Sequence, residues 1–395
     1  MRRAVLLQSI RGIRRNPAQL DSERFRRFQN QLSSDSADNL LRTAHGNSAE
    51  ETEEVKPKVY NPREEQTQHA LRPEGISPES TSIILFPGQG SQFVGMGKEL
   101  LMAPHVLELY DRASEIMQVD LLKLCLEGPL EELSRTEHCQ AAVFVTSLAA
   151  IQKLKQEDPD AIDRCVGAAG MSVGEYAALV FAGSLRFEDG VRLLNERGRL
   201  MQAASEEEPS GMMSVALTVK SELEQALKTA REYAHSQGVE LPVCSVATYL
   251  FTQFRVIGAH EPALDFLEKY GKKEFKLGGL RRLPVSGAFH TKVMEGAAKE
   301  FRHFLRQTPF QPPAIRVHSN LTGKAFPREA SEIRRHLYKS LFQPVKWEQT
   351  MKILSDRKQG TKFPRYFEAG PGSQLSTILS KSNVKAGQKA ISVPC

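Results

Sequence analysis

Gly170-Met171-Ser172-Val173-Gly174 has the residue types and spacing for nucleophilic chemistry. A strand-like apolar run, Cys165 to Ala169, leads into it, and a helix-like run, Glu175 to Phe181, leads out. In a strand-to-helix turn of the G-x-S-x-G type the backbone bends so sharply that only glycine fits beside the serine. The hydroxyl is then held out at the mouth of the sheet, and the next amide and the helix N-terminus face any oxyanion that forms. The competing reading of the pentapeptide is an ordinary helix N-cap by Ser172. A serine hydroxyl needs a base to take its proton, and histidine is the usual choice. Of the ten histidines, His290 stands in Pro284-Val285-Ser286-Gly287-Ala288-Phe289-His290-Thr291, where a strand ends and a helix begins. His45, His69, His105, His235, His260, His303 and His336 fall in polar linkers or on helix faces expected to be solvated.

These groups need a scaffold, and hydropathy patterning supplies one. Ser82-Ile83-Ile84-Leu85-Phe86 reads as a short buried strand that ends in the tight loop Pro87-Gly88-Gln89-Gly90-Ser91-Gln92. That loop lacks the lysine and Ser/Thr of a Walker phosphate loop. Helical patterns follow at Lys98 to Met117, Glu131 to Leu133, Ala141 to Leu154 and Phe187 to Ala204, around the strand at Cys165 to Ala169. This alternation implies a three-layer α/β domain with a parallel sheet covered by helices. Between Ser210 and Val285 the pattern changes to β-α-β-β-α-β, the order of a ferredoxin-like unit inserted into the larger one. The α/β rhythm then returns with helices at Thr291 to Gln307, Glu329 to Leu341 and Trp347 to Ser355, and strands near Ile315 to Ser319 and at Arg365 to Glu368. The expected organisation is a leader and linker over 1–80, a hydrolase-like core over 81–205 and 285–395, and a small ferredoxin-like subdomain over 206–284. A ligand is expected in the cleft between core and subdomain.

Composition narrows the class. The 395 residues are 40% hydrophobic and 25% charged, and no apolar run approaches the ~20 residues needed to span a bilayer. Five scattered cysteines, with no Cys-x-x-Cys pair, read as reduced thiols. A formal charge of +6 is too mild to argue for nucleic acid and leaves room for an acidic partner. No His/Cys/Asp/Glu cluster has metal-ligand spacing, so neither a metal nor a bound cofactor is expected. Met1 to Leu20 carries Arg2, Arg3, Arg11, Arg14 and Arg15 with no acidic residue, and its apolar positions share a rough helical face. This pattern fits a mitochondrial transit peptide, the alternative being a basic tail without an address. The Ser-, Glu-, Gln- and Pro-rich stretch from about Ser33 to Ser82 reads as linker.

Five ordered motifs carry a family resemblance: Phe86-Pro87-Gly88-Gln89-Gly90-Ser91-Gln92, Gly170-Met171-Ser172-Val173-Gly174-Glu175, Arg197-Gly198-Arg199-Leu200-Met201-Gln202, Gly287-Ala288-Phe289-His290 and Glu368-Ala369-Gly370-Pro371-Gly372. From about Ile83 to Leu379 the chain resembles the malonyl-CoA:acyl carrier protein transacylases, and the transit-like N-terminus points to the mitochondrial members. The resemblance implies a hydrolase-like α/β core with a ferredoxin-like insertion. It implies attack by Ser172 on the thioester of malonyl-CoA with His290 as base, then ping-pong transfer to the phosphopantetheine thiol of acyl carrier protein. The backbone amides of Gln89 and Val173 would form the oxyanion hole, and Arg197 would grip the malonyl carboxylate. A backbone carbonyl ahead of Pro344-Val345-Lys346-Trp347, within Ser340 to Gln343 and best matched by Ser340, would orient the imidazole. Gln140 and Asn320 match positions that line or support the site, though each also fits a turn or cap. Met171 stands where bacterial members often carry His, and Thr248 where the family usually has Asn. Two other readings stay open, a serine thioesterase or esterase and a non-catalytic scaffold that binds acyl carrier protein or RNA. Lys272, Lys273, Lys276, Arg281, Arg282 and Lys292, with Lys381, Lys385 and Lys389, are a candidate basic rim for the acidic carrier protein, or else solvated charges without a partner.

Overall fold

The computed structural model describes residues 77–355 and 362–395. The transit-like segment, most of the expected linker, His45 and His69 lie outside the described residues. Every residue of the first strand, β1 (Ser82–Phe86), is buried, which requires cover on both faces. The principal elements follow as α1 (Val106–Met117), α2 (Thr136–Glu157), β2 (Cys165–Gly170), α3 (Val173–Phe181), α4 (Phe187–Glu207), β3 (Ser210–Ala216), α5 (Leu223–Ser236), β4 (Cys244–Phe251), β5 (Phe254–His260), α6 (Glu261–Phe275), β6 (Leu280–Arg282), α7 (Glu295–Gln307), β7 (Arg316–His318), α8 (Ala330–Ser340), α9 (Trp347–Ser355), β8 (Arg365–Glu368), α10 (Gln374–Ser382) and β9 (Ala390–Ser392).

Five strands form a parallel sheet in the order β7-β2-β1-β8-β9. β1 divides its side chains between the two faces as strand geometry demands. Ile84 and Phe86 join the larger core with α2, α3 and α4. Ile83 and Leu85 pack with Trp347, Met351, Tyr366 and Leu375 on the other face. The result is the three-layer α/β architecture. α2 is apolar almost all round, unbroken in burial from Cys139 to Ile151, and lies inside the larger core rather than on it.

The second sheet is antiparallel, in the order β4-β5-β3-β6, with α5 and α6 as its crossover helices. Placing β3 between β5 and β6 gives the ferredoxin-like arrangement. One tie to the core runs through Val345, which donates to the Ala247 carbonyl at 2.9 Å and accepts from the Tyr249 amide at 2.9 Å. Beside this seam Arg255 of β5 lies 3.2 Å from Glu348 of α9, and both side chains are largely buried.

Several elements depart from the sequence expectation. The helix expected over Lys98 to Met117 is a single turn at Lys98–Leu100 and then α1, because Pro104 disfavours helix before it and His105 takes a left-handed φ of 61°. The strand expected over Lys276 to Pro284 shrinks to β6, since α6 runs on to Phe275 and closes with a left-handed Lys276. α10 and β9 were not anticipated; β9 is three residues long on a sheet edge, too short for a periodic signal. His260 and His336 are buried, not solvated. His260 contacts Glu208 at 3.0 Å and receives the Val243 amide at 2.9 Å, while His336 pairs with Ser319 at 3.0 Å.

Candidate active site

Steric exclusion shapes the turn at Ser172. A Cβ on Gly170 would sit 1.9 Å from the Gly174 carbonyl carbon, and one on Gly174 would sit 2.2 Å from the Phe86 carbonyl oxygen. Neither position admits a side chain, so the strand passes into α3 within two residues and Ser172 is forced to φ 53°, ψ −101°. Strain of this kind costs on the order of 1–3 kcal/mol and survives only where the surroundings over-determine it. Asn320, just beyond β7, supplies much of that constraint. Its Oδ1 accepts the Ser172 amide at 2.7 Å, and its Nδ2 donates to the Gly170 carbonyl at 2.7 Å. The loop after β1 presses on the same turn, since a Cβ on Gly88 would lie 2.3 Å from the Met171 carbonyl oxygen.

Three side chains converge there from distant parts of the chain. Ser172 Oγ lies 2.9 Å from His290 Nε2 and accepts a hydrogen bond from Arg197 Nη2 at 3.1 Å. His290 itself takes a left-handed φ of 60°, and its amide donates to the Leu341 carbonyl at 3.1 Å. Its Nδ1 faces the Ser340 carbonyl oxygen at 2.5 Å. A carbonyl only accepts, so Nδ1 carries the hydrogen and Nε2 is left with a lone pair toward the serine. Burial, followed by the positive charge of Arg197, lowers the imidazole pKa to about 4 against the opposing pull of the Ser340 carbonyl. The ring is therefore neutral near pH 7, a base without an acidic third partner.

Arg197 comes from the middle of α4 and is 1% exposed. Its Nη1 donates to Gln140 Oε1 at 2.6 Å, and its Nε has no hydrogen-bond partner among the described residues. Gln140 is held from its other end by Met201 Sδ at 3.4 Å. Burial lowers the arginine pKa, and Tyr176 and Glu175 oppose that shift. A buried guanidinium bonded only to neutral groups is an unfavourable state that an incoming carboxylate relieves. The amides of Gln89 and Val173 donate no hydrogen bond to any described residue, and the Gln89 side chain turns away to Thr136 Oγ1 at 3.2 Å. Gln343 is half-buried three residues past Ser340 and bonds to none of these groups. Met171 packs beside the Trp347 cluster, and Thr248 lies buried in β4 opposite Val345. Among the described residues no group of three or more His, Cys, Asp or Glu side chains is gathered as metal ligands would be.

One residue of the cluster has no role in the sequence reading. Glu175, on the first turn of α3, is 1% exposed; its Oε1 accepts the Asn320 amide at 2.7 Å and its Oε2 has no partner among the described residues. The available signal was a single acid inside the otherwise apolar stretch Val173–Phe181.

A strained serine, a neutral imidazole and a buried cation on a hydrolase-like α/β core have the geometry of covalent acyl transfer. Residues 83–382 match the acyl transferase domain family, and the chain belongs to that family. It is 48% identical over 309 residues to the mitochondrial malonyl-CoA-acyl carrier protein transacylase of Homo sapiens, covering 78% of this chain and 79% of that protein. It is 44% identical over 340 residues to a probable mitochondrial malonyl-CoA-acyl carrier protein transacylase of Drosophila melanogaster, covering 86% and 89%. Among solved structures it is similar to the malonyl CoA-acyl carrier protein transacylase of Coxiella burnetii, with TM-score 0.71 and 30% identity, covering 80% of this chain and 95% of that one.

Proposed function

We propose that the chain transfers the malonyl group of malonyl-CoA to the phosphopantetheine thiol of acyl carrier protein in mitochondrial fatty acid synthesis, through a malonyl ester on Ser172. His290 Nε2 takes the Ser172 proton as Oγ attacks the thioester carbonyl. The tetrahedral oxyanion is received by the Gln89 and Val173 amides, and collapse expels the CoA thiolate, which the imidazolium protonates. Arg197 exchanges its bonds to Gln140 and Ser172 for the two oxygens of the malonyl carboxylate. In the second half His290 accepts the proton of the carrier thiol, which attacks the ester, and the imidazolium returns that proton to Ser172 Oγ as the ester bond breaks. Asn320 and Ser340 hold the serine and the imidazole in place; Gln140 holds Arg197 until the substrate arrives. The scheme uses malonyl-CoA as a substrate and no cofactor.

The observation that carries this reading is the juxtaposition of Ser172 Oγ with both His290 Nε2 at 2.9 Å and a buried arginine at 3.1 Å. An esterase for neutral acyl groups has no use for a cation there. Intact-protein mass spectrometry after brief incubation with malonyl-CoA or acetyl-CoA is the test. A malonyl adduct that vanishes in Ser172→Ala and is discharged by carrier protein faster than by water is expected. An adduct lost equally fast to water places the chain among hydrolases, and no adduct leaves the scaffold reading.

A further inference from the structure

Glu175 is a carboxyl group beneath the site that the transfer scheme does not use. Among the described residues Oε1 accepts from the Asn320 amide, Oε2 has no hydrogen-bond partner and no cation stands within ion-pair distance, although the Ser340 side chain also acts on the carboxyl. Burial with so little compensation disfavours the ionised carboxylate, so the neutral acid is the favoured form. Arg197 is nevertheless close enough for the two charges to be coupled. The cation that would naturally pair with Glu175 is instead held by Gln140 and Ser172.

We infer that Glu175 is a positioning residue for malonyl transfer: as a neutral acid it anchors Asn320, and thereby the Ser172 turn, while leaving the charge of Arg197 free for the substrate carboxylate. The inference rests on the proposed malonyl chemistry. Burial, opposed by the Asn320 amide and by Arg197, pushes the Glu175 pKa up to about 8. Above that value the carboxylate forms, competes for Arg197 and weakens the grip on a malonyl group. An acetyl group, without a carboxylate, is spared that competition.

Of the other groups facing α3, Tyr176, His290 and Cys165 are shifted away from that value. Burial raises Tyr176 far above it and carries His290 down to about 4. β2 contributes Cys165, pushed up to about 11. β7 contributes His318, whose Nδ1 contacts the Gly323 carbonyl; His336, lowered mainly by burial, is turned to Ser319. α2 turns the uncharged Gln140 toward Arg197, and β1 carries no ionisable side chain.

The test compares second-order rate constants of Ser172 acylation by malonyl-CoA and acetyl-CoA from about pH 7 to about pH 9 in the wild-type chain, Glu175→Gln and Glu175→Ala. Titrations of the CoA moiety cancel in the ratio. In the wild type the malonyl/acetyl ratio should fall about tenfold, following the neutral fraction of the acid. In Glu175→Gln the ratio should lose this pH dependence, and the Gln variant should restore most of the rate that Glu175→Ala loses with both donors. A wild-type ratio independent of pH overturns the inference, and it does so even if Glu175→Gln fails to fold. A fall of the same size in Glu175→Gln overturns it as well. A wild type that forms no acyl adduct removes the malonyl reading itself, an outcome visible before any pH series is run.

Discussion

Arg197 costs folding energy as it stands, because its guanidinium is 1% exposed and its partners are an amide oxygen and a hydroxyl. In the proposed scheme that cost is the source of selectivity, since a charge-assisted pair in such a place is worth about 1.5–3 kcal/mol. Arg197→Ala should therefore lower the malonyl/acetyl ratio of acylation rates by a factor of about 10–100, with the loss falling on malonyl. The same cation helps to hold His290 down at about 4. Only the neutral imidazole accepts the serine proton, so acylation should fall as pH drops through that value and stay flat above it until Glu175 titrates. In Arg197→Ala the depressing charge is gone, and the acid limb should shift up toward the ordinary histidine value. A stopped-flow pH series for both proteins reads the shift; an unmoved limb would mean that burial alone sets the imidazole.

Elements meet at this site through hydrogen bonds that link distant parts of the chain. Asn320, after β7, joins the end of β2 to the start of α3, and α8 ends at the carbonyl that holds His290. Asn320→Ala removes both bonds to the turn and lets the serine drift. A displacement near 1 Å from reactive geometry costs about 10²-fold, so acylation should drop by about that factor while far-UV circular dichroism stays unchanged. The seam between the sheets makes a different prediction. Glu348 accepts from Thr252 at 3.0 Å and from Lys352 at 2.7 Å, and faces Arg255 at 3.2 Å. Glu348→Ala leaves Arg255 largely buried without its acid, and chemical denaturation should show a loss of about 3 kcal/mol. A loss below ~1 kcal/mol would mean that the Val345 backbone bridge holds the seam by itself.

At the scale of the molecule, long-period features were legible and angular ones were not. β1, β2 and the β-α-β-β-α-β insertion follow from hydropathy, because each must bury a continuous or alternating apolar face. The bond from His290 to Ser340 spans 50 residues and depends on the left-handed turn at His290, which periodicity does not encode. Glu175 escaped for a related reason, since its neutrality is a property of the surroundings and not of the residue. Charge on the surface shows the same limit. Arg281 and Arg282 are adjacent in sequence, yet Arg282 is enclosed by Glu261 at 2.6 Å, Glu268 at 3.1 Å and Asp265, while Arg281 is exposed. Arg282 therefore fastens β6 to α6 and is removed from the candidate rim, whereas Arg281, Lys272 and Lys292 remain exposed for an acidic partner. Rim charges act mainly on encounter rate and its salt dependence. Reversing Arg281 and Lys272 to Glu should raise KM for carrier protein about fivefold at low salt, with the difference shrinking as salt screens it and malonyl loading unaffected. Arg282→Glu should instead lower thermal stability, because it sets a fourth acid among Glu261, Asp265 and Glu268. Carrier kinetics indifferent to the double reversal would place the docking face elsewhere on the molecule.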